Sequence, residues 1–435
     1  MGRRWLVGLV AVGVVAVSAG CGSDNSGGSS AATSAAATSA AAATSAAATT
    51  AAAAGAATSA GGAATGTPVK IGFICSCTGP LASSVAISQP AYDSWVKAQN
   101  AKGGLNGHPI DLIVKDDASN PGNSVAMVHE LVEQDNVIAL VDISNADQAW
   151  ADYVTSKNIP VVGGNVSSLL LFTNPLFFSP GQTTDSLPVS VMTAAKKAGA
   201  SKVAVVYCAE SPICQQLVDP TQKAATQVGV TISYITGVPA AAPNYTAQCV
   251  AAQQSGATAF FVAHAVSVVQ AVADSCTKQG YKPTFIAQDG AVAQSFTTSP
   301  GLSDGFLGVQ TNLPFSVTDT PEAQRMIAAF KQYNPSLLTD PNYNEIAVEE
   351  WASGLMLELA AARGNFGANG STPTSQQLLD GLHTFNKETL NGMAPGLTFK
   401  AGQPNPVPCW FWQGTKDGKF NLPYGPDPEC APTTS

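Results

Sequence analysis

From residue 69 onward, short apolar runs alternate with amphipathic stretches of helical period. Val69-Lys-Ile-Gly-Phe-Ile, closed by the turn residues Thr78, Gly79 and Pro80, predicts a buried strand over 69–74. A helix over 91–101 follows and stops at Gly103 and Gly104. The pattern continues as strand 110–114, helix 121–134, strand 137–141, helix 147–156 and strand 160–162. After a loop over 173–184 the rhythm restarts with helix 186–198, strand 202–207, helix 214–228 and strand 231–235. Helix 246–255, strand 259–262, helix 266–279 and strand 284–287 complete the second unit. Such alternation predicts βαβ units, parallel sheets and right-handed crossovers, hence an α/β fold of two similar Rossmann-like lobes. Ligands of these sheets sit outside the carboxyl ends of the strands, so the loops there are where chemistry is expected. Trp410 and Trp412 alternate within Cys409-Trp-Phe-Trp, an amphipathic strand pattern that places both in the core.

The first 67 residues follow a different pattern. Arg3 and Arg4 precede an uncharged apolar stretch over 5–17, shorter than the roughly 20 residues a permanent membrane span needs. Ser18, Ala19 and Gly20 then lead to Cys21. This arrangement resembles a bacterial lipobox, with Ser18 where a leucine usually stands. The resemblance implies a signal peptide over 1–20 and a diacylglycerol thioether on Cys21. An ordinary cleaved signal and an uncleaved anchor are the alternatives, and the arginine pair also permits a twin-arginine route. Residues 22–67 are almost entirely Ala, Ser, Thr and Gly, with Asp24 the only charge. Repeated Ala-Thr-Ser triplets and glycines weaken helix propensity, so 21–67 is expected to be a flexible tether whose hydroxyls could carry sugars.

The 435 residues are 45% hydrophobic and only 11% charged, which suits large buried sheets rather than a disordered chain. The chain from residue 68 is long enough for two α/β domains. A net charge of -9 offers no basic stripe to neutralise phosphates and argues against nucleic-acid binding. With Cys21 set aside, eight of the nine cysteines remain, and an even number in an exported chain points to disulfides. Local pairing of Cys208 with Cys214, Cys249 with Cys276 and Cys409 with Cys430 is preferred. Cys75 and Cys77 are then left for each other, across a tight Cys-Ser-Cys turn, or as free thiols. No CxxC pair occurs and His108, His129, His264 and His383 are scattered, so neither a metal site nor a cofactor is expected.

Four segments carry a more specific signal: Val69-Lys-Ile-Gly-Phe, Thr78-Gly-Pro-Leu-Ala, Asn100-Ala-Lys-Gly-Gly-Leu-Asn-Gly and Asp116-Asp-Ala-Ser-Asn-Pro. In this order and spacing they resemble periplasmic substrate-binding proteins of the leucine/isoleucine/valine type, which deliver ligands to ABC importers. The resemblance covers most of 68–420 and implies the type I periplasmic binding protein fold, two lobes joined by a three-stranded hinge. The crossings are expected near 176–182, 309–314 and 399–408. Lobe 1 is then 68–178 with 313–399, and lobe 2 is 179–312 with 400–435.

Residue by residue, the resemblance implies that Ser144, with Asn145 beside it, holds a ligand carboxylate, helped by Asn165 and Ser167 after the fourth strand. His264 takes the place of an aromatic over the ligand, Asp289 meets an ammonium group, and Ser84 beside Ser83 lines the mouth. Tyr207 and Tyr343 are further candidates, with packing as their alternative role. Hydroxyls and loop amides opposite a carboxylate suit a small zwitterion. The serines fit helix caps equally well, Asp289 a turn, and His264 a half-buried core position.

The implied protein is a monomeric, extracytoplasmic solute-binding lipoprotein on the outer face of the bacterial cytoplasmic membrane. Its partners are a small polar ligand, the permease subunits of an importer, and the membrane through its lipid. A ligand-sensing domain for a membrane signalling partner uses the same fold, and an exported hydrolase is the remaining alternative. No Gly-x-Ser-x-Gly elbow and no His-Glu-x-x-His helix occurs, so an enzyme is not expected. Cells expressing the full chain should incorporate labelled palmitate, and Cys21→Ala should abolish it; undiminished labelling would dismiss the anchor.

Overall fold

A computed structural model describes residues 64–164, 168–210 and 212–432. The signal peptide over 1–20, Cys21, the tether up to residue 63, Asn165 and Ser167 lie outside the described residues.

The first sheet contains β1 (Val69–Cys75), β2 (Ile110–Asp116), β3 (Ala139–Ile143), β4 (Val161–Gly163) and β5 (Phe177–Phe178), in the order β2-β1-β3-β4-β5 and parallel throughout. Between these strands run α1 (Ala82–Val85), α2 (Ser88–Ala101), α3 (Pro121–Glu133) and α4 (Ala151–Ser156). The second sheet contains β6 (Lys202–Cys208), β7 (Thr231–Val238), β8 (Ala259–Ala263), β9 (Thr284–Ala287) and β10 (Leu307–Gln310). Its helices are α5 (Leu187–Lys197), α6 (Pro212–Gln216), α7 (Val218–Val228), α8 (Thr246–Gln254) and α9 (Val266–Lys278). Three later helices, α10 (Pro321–Tyr333), α11 (Ile346–Arg363) and α12 (Ser375–Leu382), return to the first sheet, where α10 and α11 pack on α2 and α11 also meets β4. Two α/β lobes result, each a sheet covered by helices.

The second sheet is not wholly parallel, contrary to the expectation from the βαβ rhythm. β11 (Cys409–Lys416) runs antiparallel to β10, and β12 (Lys419–Asn421) and β13 (Glu429–Cys430) pair antiparallel with β11. β11 enters from the other lobe rather than through a helical crossover, so nothing forces it to run with its neighbour. Asp417 (φ 51°) and Gly418 (φ 73°) form the two-residue turn to β12, a left-handed pair that favours Asp-Gly. Trp410 and Trp412 are each 1% exposed and pack with Val203, Val205, Leu307 and Val309, in the core as their alternation predicts.

Other differences are local. β3 starts two residues later than its apolar run, because the Val137 amide still donates to Leu131 at the end of α3, at 3.1 Å. The helix expected over 147–156 is a 3₁₀ turn, Asp147–Ala149, followed by α4, since Trp150 (φ -124°) leaves helical geometry. The helix expected over 214–228 is divided into α6 and α7 at Leu217. The last tether residues are docked: Gly66 donates to Gly107 at 2.9 Å, and His108 Nδ1 lies 2.8 Å from the Thr67 carbonyl. All three local disulfides are present, and Cys75 is bridged to Cys77, so neither is a free thiol.

Three segments cross side by side between the sheets. The Thr183 amide donates to Val407 at 3.0 Å, and the Val407 amide returns a bond to Thr183 Oγ1 at 2.8 Å. Asn312 Nδ2 donates to Pro180 at 2.8 Å and to Met393 at 3.1 Å. Gly181 is where two crossings touch: a Cβ there would lie 2.4 Å from the Thr311 carbonyl oxygen. Only a residue without a side chain allows this approach. Gly181→Ala should therefore cost about 1–3 kcal/mol in urea unfolding; an unchanged midpoint would show that the crossing strands are free to separate.

Candidate functional site

The carboxyl ends of both sheets face one cleft, with about 520 Å³ of unfilled space. From the first lobe it is lined by Leu81, Ser84, Val85, Ile143, Ile346 and Glu349; from the second by Cys208, Cys214, His264, Gln288 and Asp289 together with small residues. Strand ends supply most of these groups, as the topology requires.

Asp289 follows β9 and is 5% exposed. Its Oδ2 accepts from Thr311 Oγ1 at 2.5 Å, and its Oδ1 from the Gly290 amide at 2.8 Å. The Thr311 bond ties this carboxyl to a crossing segment, so the site and the hinge share a residue. Glu349 projects from α11 and is 2% exposed, and neither of its oxygens has a hydrogen-bond partner among the described residues. It lies close enough to Asp289 for each to perturb the other, and two carboxyls can bond only through a proton. Burial pushes Asp289 up to about 6, against the opposing bonds from Thr311 and Gly290. Burial, then the charge of Asp289, holds Glu349 well above the usual carboxylate range. Glu345 behind them is raised for the same two reasons, and Glu350 by burial. No lysine or arginine lines this cleft. Two desolvated carboxyls thus neighbour each other with no basic side chain among the described lining residues.

His264 is 5% exposed, and its Nδ1 accepts from the Ala265 amide at 2.8 Å, which leaves the proton on Nε2. Nε2 is 3.5 Å from Glu210, a contact too long for a good hydrogen bond. Burial lowers its pKa more than Glu210 raises it, so the ring is neutral. Gln288 sits beside Asp289 with a buried, unpartnered Oε1.

The serines do different work. Ser84 Oγ lies in the cleft and accepts from the Val266 amide at 3.2 Å, capping α9 from the opposite lobe. α9 has no side-chain cap of its own, its Ncap residue being Ala265. Ser83 Oγ donates to Ser267 Oγ at 3.2 Å, and Asn344 Nδ2 donates to the Ser84 carbonyl at 2.8 Å. The Ser84–Val266 and Ser83–Ser267 bonds join the lobes at the mouth, while Asn344 belongs to the same lobe as Ser84 and holds it in place. Ser144 is outside the cleft lining: its hydroxyl donates to Asp117 Oδ2 and accepts from the Ala146 amide at 2.9 Å. Asp117 also accepts from Ser76 at 2.7 Å, and Ser76 Oγ accepts from the Asn145 amide at 3.1 Å. Ser144 and Asn145 thus belong to a network that braces the ends of β1 and β3. Tyr207 faces a separate pocket in the second lobe, its hydroxyl donating to Gln215 at 2.9 Å. Tyr343 is packed edge to face against Phe315. Asn165 and Ser167 are outside the described residues.

The cleft therefore gathers Ser84, His264 and Asp289 from the residues named by the sequence, and adds Glu349, Gln288 and Thr311. Glu349 had a legible signal: Glu349-Glu350 interrupts a stretch, 346–357, whose other residues are apolar or small, so a charge there is buried.

Comparison with known proteins agrees with this architecture. The family described as periplasmic binding protein matches residues 68–419. A Leu/Ile/Val-binding protein homolog from Brucella abortus is 23% identical over 379 residues, 83% of this chain and 94% of that one. A branched-chain amino acid ABC transporter protein from Thermus thermophilus, solved with bound valine, superposes with a TM-score of 0.73 at 17% identity, over 84% of this chain and 97% of that one. A fatty acid ABC transporter substrate-binding protein from Thermomonospora curvata gives 0.69 at 17% identity, over 84% and 93%. At these identities the structural likeness shows the fold alone.

Raised carboxyl pKa values stabilise the fold while the groups are protonated, and that stability is lost as pH rises through the folded values. The protein should unfold at a lower temperature at pH 8 than at pH 5: the part of the decline due to Asp289 is complete near pH 6, and Glu349, held higher, continues it above that. Glu349→Gln, which gives Asp289 a neutral donor, should remove part of that decline in differential scanning fluorimetry; a slope identical to the parent's would place the destabilising charge elsewhere.

Proposed function

Because the chain belongs to the periplasmic binding protein family, we propose that it captures a small polar ligand bearing a cationic group, an amino acid or related compound, between its two lobes. Its relatives are solute-binding proteins rather than enzymes, and the chain is one of these. The observation that carries the reading is the pair Asp289 and Glu349, one from each lobe, both buried in a cleft whose described lining includes no lysine or arginine. A bound ammonium group would ionise both and draw the lobes together, since a charge-assisted bond in a closed cleft is worth about 1.5–3 kcal/mol. The relatives include a homolog of Leu/Ile/Val-binding proteins and a fold neighbour solved with valine, which supports an amine as the group recognised.

In this reading residues 68–178 with 313–399 move against 179–312 with 400–435 about the three crossing segments. Cys21 carries the lipid, 22–67 provides reach, and the closed form is presented to the permease of an ABC importer at the outer face of the membrane. Ser83 and Ser84 favour closure by bonding α9, while His264 and Gln288 offer a neutral donor and an acceptor to the rest of the ligand. Thermal-shift screening of the chain from Thr67 onward against amino acids, amides and amines identifies the ligand. Asp289→Ala should then weaken its binding at least about tenfold in titration calorimetry; unchanged affinity would remove Asp289 from the site.

A further inference from the structure

Beside the cleft, in the second lobe, lies a second pocket, partly open to solvent, with about 40 Å³ of enclosed space. Its walls are apolar: Leu187 and Val191 of α5, Val205 of β6, Ile235 of β7, Phe261 of β8, and Leu217, which covers it from the turn between α6 and α7. It is not isolated. Cys214, Ala263 and Gln288 line both this cavity and the cleft, so the two spaces meet at the ends of β8 and β9. At that junction stands the buried, unpartnered Oε1 of Gln288, next in sequence to Asp289. The far side of the junction is anionic and polar; the near side is a greasy chamber. The union of the two spaces is amphiphilic.

We propose that the ligand is an amphiphilic amine, its cationic head held between Asp289 and Glu349 and its apolar tail passing Ala263 and Gln288 into the second-lobe cavity. The proposal rests on the reading of the cleft as a cation site and adds the tail and its pocket. Continuity fixes the occupant: an independent apolar molecule would offer no donor to the two carboxyls, whereas one amphiphile serves both spaces. Cys214, bridged to Cys208 of β6, holds α6 at the boundary, so the neck has a fixed wall on that side. A head without a tail would fill only the cleft.

The test is a titration series of straight-chain primary amines, from ethylamine to decylamine, with the matching alcohols, on the chain from Thr67 onward. Affinity should rise about fourfold per added methylene, the value of burying one CH₂, and stop rising once the cavity is full. Val218→Trp, which fills the pocket from its half-buried rim and lies outside the cleft lining, should leave ethylamine binding unchanged and flatten the rise; Val218→Met, a smaller change, should flatten it less if the first variant folds poorly. Ethylamine and octylamine binding equally well would overturn the tail pocket while leaving the cation site intact. Octanol binding as tightly as octylamine would fault the cationic head and uphold the pocket. Failure of every amine and alcohol to bind would overturn both.

Discussion

The structure turns on two neighbouring carboxyls, which burial and mutual repulsion hold against both being charged. Asp289 and Glu349 come from different lobes, are almost fully buried, and meet where neither lysine nor arginine reaches. Burying one unpaired carboxylate costs several kcal/mol, and a second beside it costs more. The pair therefore keeps a proton, and in the proposed reading a ligand cation replaces it, so that closure and charge recognition would be one event.

The rest of the fold supports that arrangement. Thr311, on a crossing segment, bonds Asp289, so the angle of the hinge and the position of the carboxyl are set together. Gly181 lets the neighbouring crossing lie against Thr311. At the opposite rim Ser84 caps α9 across the gap, and Ser83 reaches Ser267. These rim bonds are weak individually, at about 1 kcal/mol for a cap, which suits lobes that must open again. The Ser76, Asp117 and Ser144 network fixes the ends of β1 and β3 below the cleft.

Much of this was legible in the chain. The alternation of strand and helix patterns gave both lobes, because buried parallel strands read as apolar runs whatever their ligand. The three local disulfides followed from proximity in sequence and an exported chain. Asp289, His264 and Ser84 reach the cleft because strand ends lie there in any such fold. Ser144 shows the limit: a hydroxyl at the correct strand end can be consumed by a buried acid, Asp117, that lies 27 residues away in sequence and next to it in space. Glu349 was missed because it comes from a helix of the returning segment, where no strand rhythm marks position. The antiparallel β11 was missed because its direction is set by a crossing between lobes, which local pattern does not encode.

Proton release on binding tests the account most directly. Titration calorimetry of an amine ligand at pH 7, repeated in buffers of different ionisation enthalpy, should show about one proton released per ligand bound, as the shared proton leaves Asp289 and Glu349. Glu349→Gln should bind with little release. A binding heat independent of buffer would mean that both carboxyls are already ionised in the empty cleft, and would contradict the constraint on which this structure is built.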